Sequence, residues 1–464
     1  MKKLTIPVVL IATLLYGSPH AASGQQKNNQ QAARPNIVII MADDLDSRQL
    51  SCYGGQNLQT THIDALAAEG MKFNQMIASE AMCIPTRASL FTGLYPARHG
   101  AYQNHKSVRP GLKSVAHYLN DLGYGVALTG KNHVTKPKAV FPFEIIEGFE
   151  PICVAKTDDY TLDSIRRYIT RREKPFCLFV MSINPHGPWT VGDPSEFDAD
   201  RLQLPAHWVD TELIREQFTR YLAEVRRLDD QVGDVMQLLK ETGQDKNTIV
   251  IFLGEQGAQF PGAKWTLWDS GQKSSMIVRW PGRVPQGSES DAIIQYEDVT
   301  PTLIDIAGGK PINGLDGRSF LAVLDGRRTD HRDYAFGIHN NIPEGPPYPI
   351  RSIRSHRYKL ILNLTPDSTY YIKYMMNPAK PNHAYATWLH RAETDEHAAF
   401  LAERIANRPA VEFYDLHADP YEIDNLANEA AHRNTIATMR TELEAWMQRQ
   451  GDRGAAMDKP FKRK

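Results

Sequence analysis

Four short apolar runs, separated by longer stretches of other character, constrain the fold of this chain more than any other feature of its sequence. In each run, β-branched and aromatic residues continue without polar alternation, which is typical of strands buried on both faces of a parallel sheet. Between Thr211 and Thr242, by contrast, apolar residues recur at helical spacing. Strands that alternate with helices predict an α/β fold, a mixed sheet with helices on both faces. The runs are Asn36–Met41, Val126–Thr129, Phe176–Ile183 and Thr248–Leu253.

Polar residues of metal- or anion-binding types follow each of the four runs. In open α/β sheets, chemistry collects just beyond the carboxyl ends of the strands. The coincidence at four strand ends carries more weight than any single motif, and it predicts a functional site at this edge of the sheet. The four clusters are Asp43–Asp44, Lys131–His133, Asn184–His186 and Glu255–Gln256.

The composition and the pattern of predicted elements change after about residue 335. A Pro- and Gly-rich stretch over Pro343–Pro349 precedes Ile350–Ile353 and Tyr358–Leu364, which have the pattern of a β-hairpin. A helical stretch from about Ala430 to Arg449 closes the chain. A length of 464 residues also favours two domains. We predict an N-terminal catalytic domain over residues 35–335 and a smaller C-terminal α+β domain with an antiparallel sheet over residues 336–464.

The N-terminus has the composition of an export signal. Lys2 and Lys3 precede an apolar run over Leu4–Tyr16, and the small residues Ala21–Ser23 follow it. This order is typical of a secretory signal peptide, and the run is too short for stable membrane insertion. We predict a signal peptide over residues 1–23, a flexible leader over residues 24–34 and a periplasmic or secreted protein. The formal net charge of −1 indicates no general attraction to nucleic acid.

The four cysteines admit two interpretations. Because export leads to an oxidising compartment, the plainest interpretation is a pair of disulfides. The sequence around Cys83 favours another role for that residue, which leaves at most one disulfide among the others. The cysteines are Cys52, Cys83, Cys153 and Cys177.

Cys83 lies two residues before Pro85 and four before Arg87, and Ala-Ser-Leu-Phe-Thr-Gly follows over Ala88–Gly93. Taken alone, this cysteine could be a small buried residue at the start of a helix. The whole segment resembles the sulfatase sequence in which a cysteine is oxidised to formylglycine. The resemblance implies a hydrated aldehyde with one hydroxyl that attacks sulfur and a second whose collapse releases sulfate. Arg87, one helical turn further on, would orient and stabilise this group.

Two adjacent carboxylates, Asp43 and Asp44, directly follow the first run. Such a pair favours a divalent cation nearby, although a solvated turn would explain it equally well. The resemblance to sulfatases implies metal ligation by this pair, Cys83, Glu255 and Gln256. Most sulfatases have Asp followed by Asn or His at the last two positions, so this chain departs from the family pattern but keeps charge and oxygen ligands. Oxygen ligands suit Ca²⁺, and we predict one Ca²⁺ ion.

Four basic residues match the remaining sulfate contacts of the family. The resemblance implies that Lys131 holds sulfate oxygens and that His133 takes the proton of the diol during sulfate release. His186 and Lys264 would contact the sulfate, and one of the two would protonate the leaving oxygen. In isolation, each would more commonly be an exposed lysine or a turn histidine.

Within the sulfatases, the chain is most similar to heparan N-sulfatase (sulfamidase)-like members, over roughly residues 35–430. The resemblance implies the alkaline-phosphatase-like fold, a sulfated oligo- or polysaccharide substrate and a partner enzyme that generates the formylglycine. For the pair Arg351 and Arg354, a solvated strand face is the alternative to substrate binding. The candidate substrate-binding residues are His105, His339, Arg351 and Arg354.

Two other functions stay compatible with the sequence. A phosphonate or phosphate monoester hydrolase of the same superfamily would share the fold, and phosphonate monoester hydrolases also use formylglycine. A non-catalytic glycan-binding relative would explain the departures at Glu255 and Gln256. The nucleophile motif and the full set of basic residues favour a hydrolase that removes sulfate from carbohydrates as an ester or a sulfamate.

Overall fold

The computed structural model describes residues 1–5, 7, 34–155, 157, 159–171 and 173–460. Most of the predicted signal peptide, and the predicted leader except for Arg34, lie outside the described residues. The described residues from Arg34 onward form one compact unit. The division of this unit at residue 335 stays a prediction. Among the described residues, no helix combines the length and the apolar character needed to cross a membrane.

The described residues contain a mixed sheet of nine strands. These are β1 (Asn36–Met41), β2 (Met71–Ile77), β3 (Gly125–Gly130), β4 (Glu144–Ile145), β5 (Phe176–Met181), β6 (Thr248–Leu253), β7 (Lys273–Arg279), β8 (Ser288–Ser290) and β9 (Ile294–Gln295). Their order is β4-β3-β5-β1-β6-β7-β2-β8, and β9 pairs with β2. The pairs among β4, β3, β5, β1 and β6 are parallel, whereas β7 is antiparallel to both β6 and β2.

Parallel pairing brings the carboxyl ends of four strands level with one another. Met41, which ends β1, pairs with Met181 of β5 and with Leu253 of β6, and Gly130 of β3 also pairs with Met181. Every residue of β1, β5 and β6 is buried, which explains their continuous apolar runs. The four polar clusters therefore follow four neighbouring strand ends at one edge of the sheet.

Helices occupy both faces of this sheet. The α-helices of the described residues are α1 (Thr61–Ala68), α2 (Cys83–Thr92), α3 (Pro96–His99), α4 (Val115–Asp121), α5 (Asp163–Thr170), α6 (Glu212–Glu241), α7 (Asp269–Gln272), α8 (Val299–Ile306), α9 (Leu321–Leu324), α10 (Ala384–Ala392), α11 (Glu396–Ala406) and α12 (Arg433–Gln450). Shorter 3-10 segments are Ser47–Gln49, Ser51–Tyr53, Pro194–Glu196, Ala199–Arg201, Asp245–Asn247, Tyr296–Asp298, Ala430–His432 and Gly454–Met457.

Alternate residues of β1 point into two different cores. Val38 and Ile40 pack in the core that contains the buried face of α6, whereas Ile37 and Ile39 pack with α2, α4 and α8. α6 spans 30 residues, and the Thr211 hydroxyl caps its first turn. The amphipathic helix and the mixed α/β sheet covered on both faces are thereby confirmed.

A second, antiparallel sheet follows in the order β10-β11-β12-β13. β11 and β12 form the predicted hairpin, and α12 confirms the predicted closing helix. Trp446 of α12 stacks on Phe336 of β10 with ring centroids 5.0 Å apart. Ile338 N–H donates to Ser79 O over 2.8 Å, which connects this sheet to the segment before Cys83. The four strands are β10 (Ala335–His339), β11 (Ile350–Arg354), β12 (Tyr358–Asn363) and β13 (Val411–Asp415).

All four cysteines lie in the described part of the chain, and all are free thiols. Cys177 is buried inside β5, and the Cys153 sulfur lies 3.5 Å from the His133 ring rather than beside another sulfur. The expectation that export would be accompanied by a disulfide is therefore wrong for this fold.

Candidate active site

Cys83 is the first residue of α2 and follows the extended residue Met82. Every residue of α2 is buried, in keeping with its small and apolar residues. The helix ends at Gly93, whose φ of 68° lies in the left-handed region that glycine adopts without a steric penalty. Asp44 also has a positive φ, of 60°, a conformation that aspartate tolerates better than most residues.

The Cys83 sulfur lies among charged and polar groups. Its distance is 3.4 Å to Lys264 Nζ and 3.7 Å to the Oδ1 atoms of both Asp43 and Asp44. Gln256 Nε2 lies 3.8 Å from it. Burial, together with the Glu255 carboxylate, raises the pKa of the Cys83 thiol well above its ordinary value. The unmodified thiol is therefore neutral and a weak nucleophile.

Three buried cations pair with three buried carboxylates around this sulfur. The N–O distances are 2.5 Å between Lys131 and Asp43, 2.6 Å between Lys264 and Asp44, and 2.5 Å between Arg87 and Glu255. Burial alone would lower the pKa of Lys131, but the Asp43 carboxylate together with Cys83 and Glu255 outweighs burial and raises that pKa. We call these six residues the ion-pair cluster: Asp43, Asp44, Arg87, Lys131, Glu255 and Lys264.

Two histidines flank the ion-pair cluster. Burial, and then the nearby Lys131 charge, lower the pKa of His133, so its ring is neutral. Its Nε2 lies 3.5 Å from Cys153 Sγ, and its buried Nδ1 has no hydrogen-bond partner among the described residues. His186 directs Nε2 toward Asp44 Oδ2 at 3.6 Å and places Nδ1 2.5 Å from Gly187 O. A neutral imidazole can accept a proton, and an imidazole beside a carboxylate can hold one.

The same residues offer ligand atoms for a cation. One ligand atom each from Asp43, Asp44, Cys83 and His186 lie within 4.8 Å of one another. Gln256 Oε1 is buried and accepts no hydrogen bond from the described residues, so a carbonyl oxygen is available there. Carboxylate and amide oxygens are the ligands that Ca²⁺ prefers. The oxygen donors of Asp43, Asp44 and Gln256 fit the predicted ion, whereas Glu255 does not belong to the group of four whose ligand atoms lie within 4.8 Å of one another.

A cavity of about 460 Å³ opens onto Cys83. Four of the predicted site residues line it with Cys83: His105, His133, His186 and Lys264. The other lining residues are Asn104, Ile152, Cys153, Val154, Gly187, Pro188, Gln259, Trp265, Glu344 and Tyr374. Asn104 and Glu344 carry no recognisable motif, and they come from loops 240 residues apart, so their meeting requires the fold itself.

Three predicted substrate-binding residues lie elsewhere. Arg351 donates to Asp452 Oδ1 over 2.8 Å and is wholly buried. Arg354 forms two hydrogen bonds of 3.0 Å with the Asp269 carboxylate. None of the three lines the Cys83 cavity.

His339 is buried between Glu80 and Asn341. Its Nδ1 lies 2.6 Å from Glu80 Oε1, and its Nε2 lies 2.6 Å from Asn341 Oδ1. Burial lowers the pKa of this histidine to about 3, so the ring is neutral. Substrate binding by His339, Arg351 and Arg354 stays a prediction that these contacts and the lining of the Cys83 cavity do not support.

Comparison with known proteins identifies the family. The sulfatase family profile matches residues 35–309. An ulvan-active sulfatase of Formosa agariphila is 33% identical over 432 residues, which cover 92% of this chain and 82% of that protein. The chain belongs to the sulfatase family, and it is a hydrolase of that class.

The likeness to sulfamidase-like sulfatases is also confirmed. The profile described as N-sulphoglucosamine sulphohydrolase, C-terminal, matches residues 262–387. Human N-sulphoglucosamine sulphohydrolase is 26% identical over 462 residues, which cover 89% of this chain and 90% of that protein. A solved structure of a protein in complex with its substrate D-glucosamine-2-N,6-O-disulfate has a TM-score of 0.70 at 20% identity and covers 92% of this chain and 100% of that one. Its fold confirms the predicted alkaline-phosphatase-like architecture.

Proposed function

We propose that this protein removes sulfate from sulfated carbohydrates, as an ester or a sulfamate hydrolase, with Cys83 converted to formylglycine and with one Ca²⁺ ion. The single observation that carries the proposal is the position of the Cys83 sulfur, 3.4 Å from Lys264 and 3.7 Å from both Asp43 and Asp44. A nucleophile at this atom reaches cations and a candidate metal site together. Formylglycine would supply a hydroxyl in place of the weakly nucleophilic neutral thiol.

The ion-pair cluster has no net charge, so an anionic substrate would need a further positive charge, such as that of a bound cation. The three carboxylates and three cations of the cluster cancel formally, so the six side chains alone offer no net attraction to sulfate. A bound Ca²⁺ would supply two positive charges, held by Asp43, Asp44, Glu255 and Gln256. Lys131 and Lys264 each donate to these carboxylates, and both ammonium groups would then be available to sulfate oxygens.

Proton transfer falls to the two histidines and to Lys264. The His133 ring lines the same cavity as Cys83 and is our candidate to take a proton from the group at position 83. His186 and Lys264 both line the cavity and both approach Asp44 Oδ2, at 3.6 Å and 2.6 Å. A carboxylate beside either group favours its protonated form, so each is a candidate to protonate the leaving oxygen or nitrogen.

The carbohydrate class of the substrate follows from the relatives. The sulfatases named above act on ulvan and on N-sulphoglucosamine by their names, and the solved relative binds a glucosamine disulfate. We propose export through the N-terminal segment to the periplasm or the medium, and modification of Cys83 by a separate maturation enzyme.

The direct test combines mass spectrometry with a substrate panel. In protein from a host with the maturation enzyme, conversion should lower the mass of the Cys83 peptide by about 18 Da, the loss of H₂S and gain of O that this nucleophile requires. Sulfate release should be measured from O-sulfated and N-sulfated glucosamines and from ulvan oligosaccharides. The Cys83→Ala variant is the matched control and should release none.

Two results would contradict the proposal. An unmodified thiol at Cys83 in active protein would remove the proposed nucleophile. Hydrolysis of a phosphonate monoester with no sulfate release would favour the phosphonate hydrolase alternative, whose known members share this fold at a TM-score of 0.68.

A further inference from the structure

A buried carboxylate, Glu344, lines the cavity that contains Cys83, although the anion-binding groups described above do not include it. The side chain is 1% exposed. Its Oε1 accepts a hydrogen bond of 2.9 Å from Asn104 Nδ2 and lies 3.5 Å from His105 Nε2. Its Oε2 is buried and accepts no hydrogen bond from the described residues.

The loop that carries Glu344 is held in place by backbone contacts. Gly345 N–H donates to Asn341 O over 2.8 Å, Asn104 N–H donates to Ile342 O over 3.0 Å, and Lys373 N–H donates to Glu344 O over 3.0 Å. A Cβ atom at Gly345 would lie 1.9 Å from Tyr371 O, so only glycine fits beside Glu344. The position of this carboxylate is therefore fixed before any ligand binds.

A carboxylate in a cavity that binds an anion lowers the affinity for that anion. Its presence there therefore indicates a different role. A buried oxygen without a donor costs about 1–3 kcal/mol, and more when it is charged. A sulfate group provides no donor, and its charge repels the carboxylate. A sugar ring provides several hydroxyl donors beside the sulfated position, so a carboxylate can recognise the part of the substrate that is not sulfate.

We propose that Glu344 determines specificity by accepting, at Oε2, a hydrogen bond from a hydroxyl of the sugar that carries the sulfate. Asn104 and His105 orient the carboxylate through Oε1 and leave Oε2 to the ligand. The same charge disfavours a second sulfate or a carboxylate at that position of the sugar. This inference rests on the proposed carbohydrate hydrolase function and adds to it a residue that recognises the sugar.

The test compares a sugar substrate with a substrate that has no sugar. The Glu344→Gln variant keeps the shape of the side chain and loses the charge. For the sulfated glucosamines of the panel, we expect kcat/KM to fall by about 10- to 100-fold, the range for one charge-assisted hydrogen bond. For 4-nitrophenyl sulfate, we expect the kcat/KM of the variant to stay within about twofold of the wild-type value. Glu393→Gln, on the exposed surface, is the matched control.

Equal losses on both substrates would overturn the inference, because they would show that Glu344 only supports the site. A binding measurement separates this result from failure of the proposed function. In the Cys83→Ala background, calorimetry should show that Glu344→Gln weakens binding of D-glucosamine-2-N,6-O-disulfate by a similar factor. Unchanged affinity, or no binding in that background, would also overturn the inference. If binding weakens as expected while the wild-type protein releases no sulfate, the proposed function fails and the assignment of Glu344 stands.

Discussion

Lys264 Nζ lies 3.4 Å from Cys83 Sγ and 2.6 Å from Asp44 Oδ2. One ammonium group therefore contacts the proposed nucleophile and a proposed metal ligand together. It is almost fully buried, and its ion pair with Asp44 helps to raise its pKa well above the ordinary value against the opposing effect of burial. This contact connects a proposed acid of the site to a proposed metal ligand.

Replacement of Lys264 by Met should lower kcat for sulfate release by about 10²–10³-fold, since a cation that stabilises developing charge in a dry site contributes this much. Initial rates on a sulfated glucosamine are the measurement. Lys240→Met, at the exposed end of α6, is the control and should leave kcat unchanged. A Lys264 variant with kcat within threefold of wild type would remove this residue from the mechanism.

Calcium should stabilise the protein through Gln256 as well as through the aspartates. Because the ion binds only the folded chain, a concentration of 100 times its Kd should add about 2.7 kcal/mol to the free energy of unfolding. Gln256→Leu removes the amide oxygen without a change in charge and should raise the Kd for Ca²⁺ about tenfold. Thermal denaturation with Ca²⁺ and with a chelator measures both effects.

The matched control for Gln256 is Gln237→Leu, on the exposed surface of α6. It should retain the full thermal shift with Ca²⁺. If Ca²⁺ shifts the unfolding temperature of none of these proteins, the aspartate pair serves only as partners of Lys131 and Lys264.

Removal of one partner of the buried pair of Arg87 and Glu255 should strongly lower the free energy of unfolding. Glu255→Ala removes the nearer carboxylate partner of Arg87 and leaves only Asp43 at 3.8 Å, and we expect a loss of about 3–5 kcal/mol in the free energy of unfolding. Replacing both residues by apolar ones of similar size should recover much of this stability without any recovery of activity. Chemical denaturation of the single and double variants is the measurement.

The exposed pair of Arg220 and Glu216 provides the comparison, with an N–O distance of 2.8 Å. Glu216→Ala should cost under about 1 kcal/mol, because water screens such pairs. Equal costs for the two pairs would show that the interior of the site is solvated rather than dry.

His99 should make the protein sensitive to acid. Burial lowers the pKa of this histidine from 6.5 to about 3. The folded state thus binds fewer protons than the unfolded state below about pH 6.5, so its stability is complete above that pH and is lost as the pH falls toward 3. One such group contributes a slope of about 1.4 kcal/mol per pH unit.

His99→Gln should reduce the slope of stability against pH by one proton between pH 6.5 and 3. Urea unfolding at several pH values measures this slope. His390→Gln, at an exposed position, should leave it unchanged. An identical slope in the His99 variant would place the acid sensitivity in other groups.

The residues at the carboxyl edge of the sheet could be predicted from the sequence because each of them directly follows the strand that positions it. Each apolar run ends directly at the polar cluster that it positions, so the order of the chain already contains the order of the site. Asp43, Lys131 and Glu255 could be assigned in this way, and the structure brings them into one ion-pair cluster.

The sequence could not predict the partners of residues in the second sheet. In the sequence, Arg351 and Arg354 resemble exposed substrate contacts. In the structure, Asp452 and Asp269 pair with them, and these partners lie 101 and 85 residues away along the chain. Glu344 was missed for the same reason, since only tertiary packing reveals that it reaches the cavity. Charge alone does not distinguish a paired side chain from one that is available to a ligand.

The level ends of β1, β5 and β6 make activity a measure of strand alignment. The pairing continues past the strands, where Ala42 N–H donates to Leu253 O and Asp43 N–H donates to Asn184 O, at 2.9 Å and 3.0 Å. A slip of β1 by one residue would move Asp43 about 3.3 Å and turn its side chain to the opposite face. A misfolded chain could keep a well-packed interior with the wrong alignment, but it would lack the site. Turnover per converted molecule therefore reports the fraction of chains in which the central strands pair in the native register.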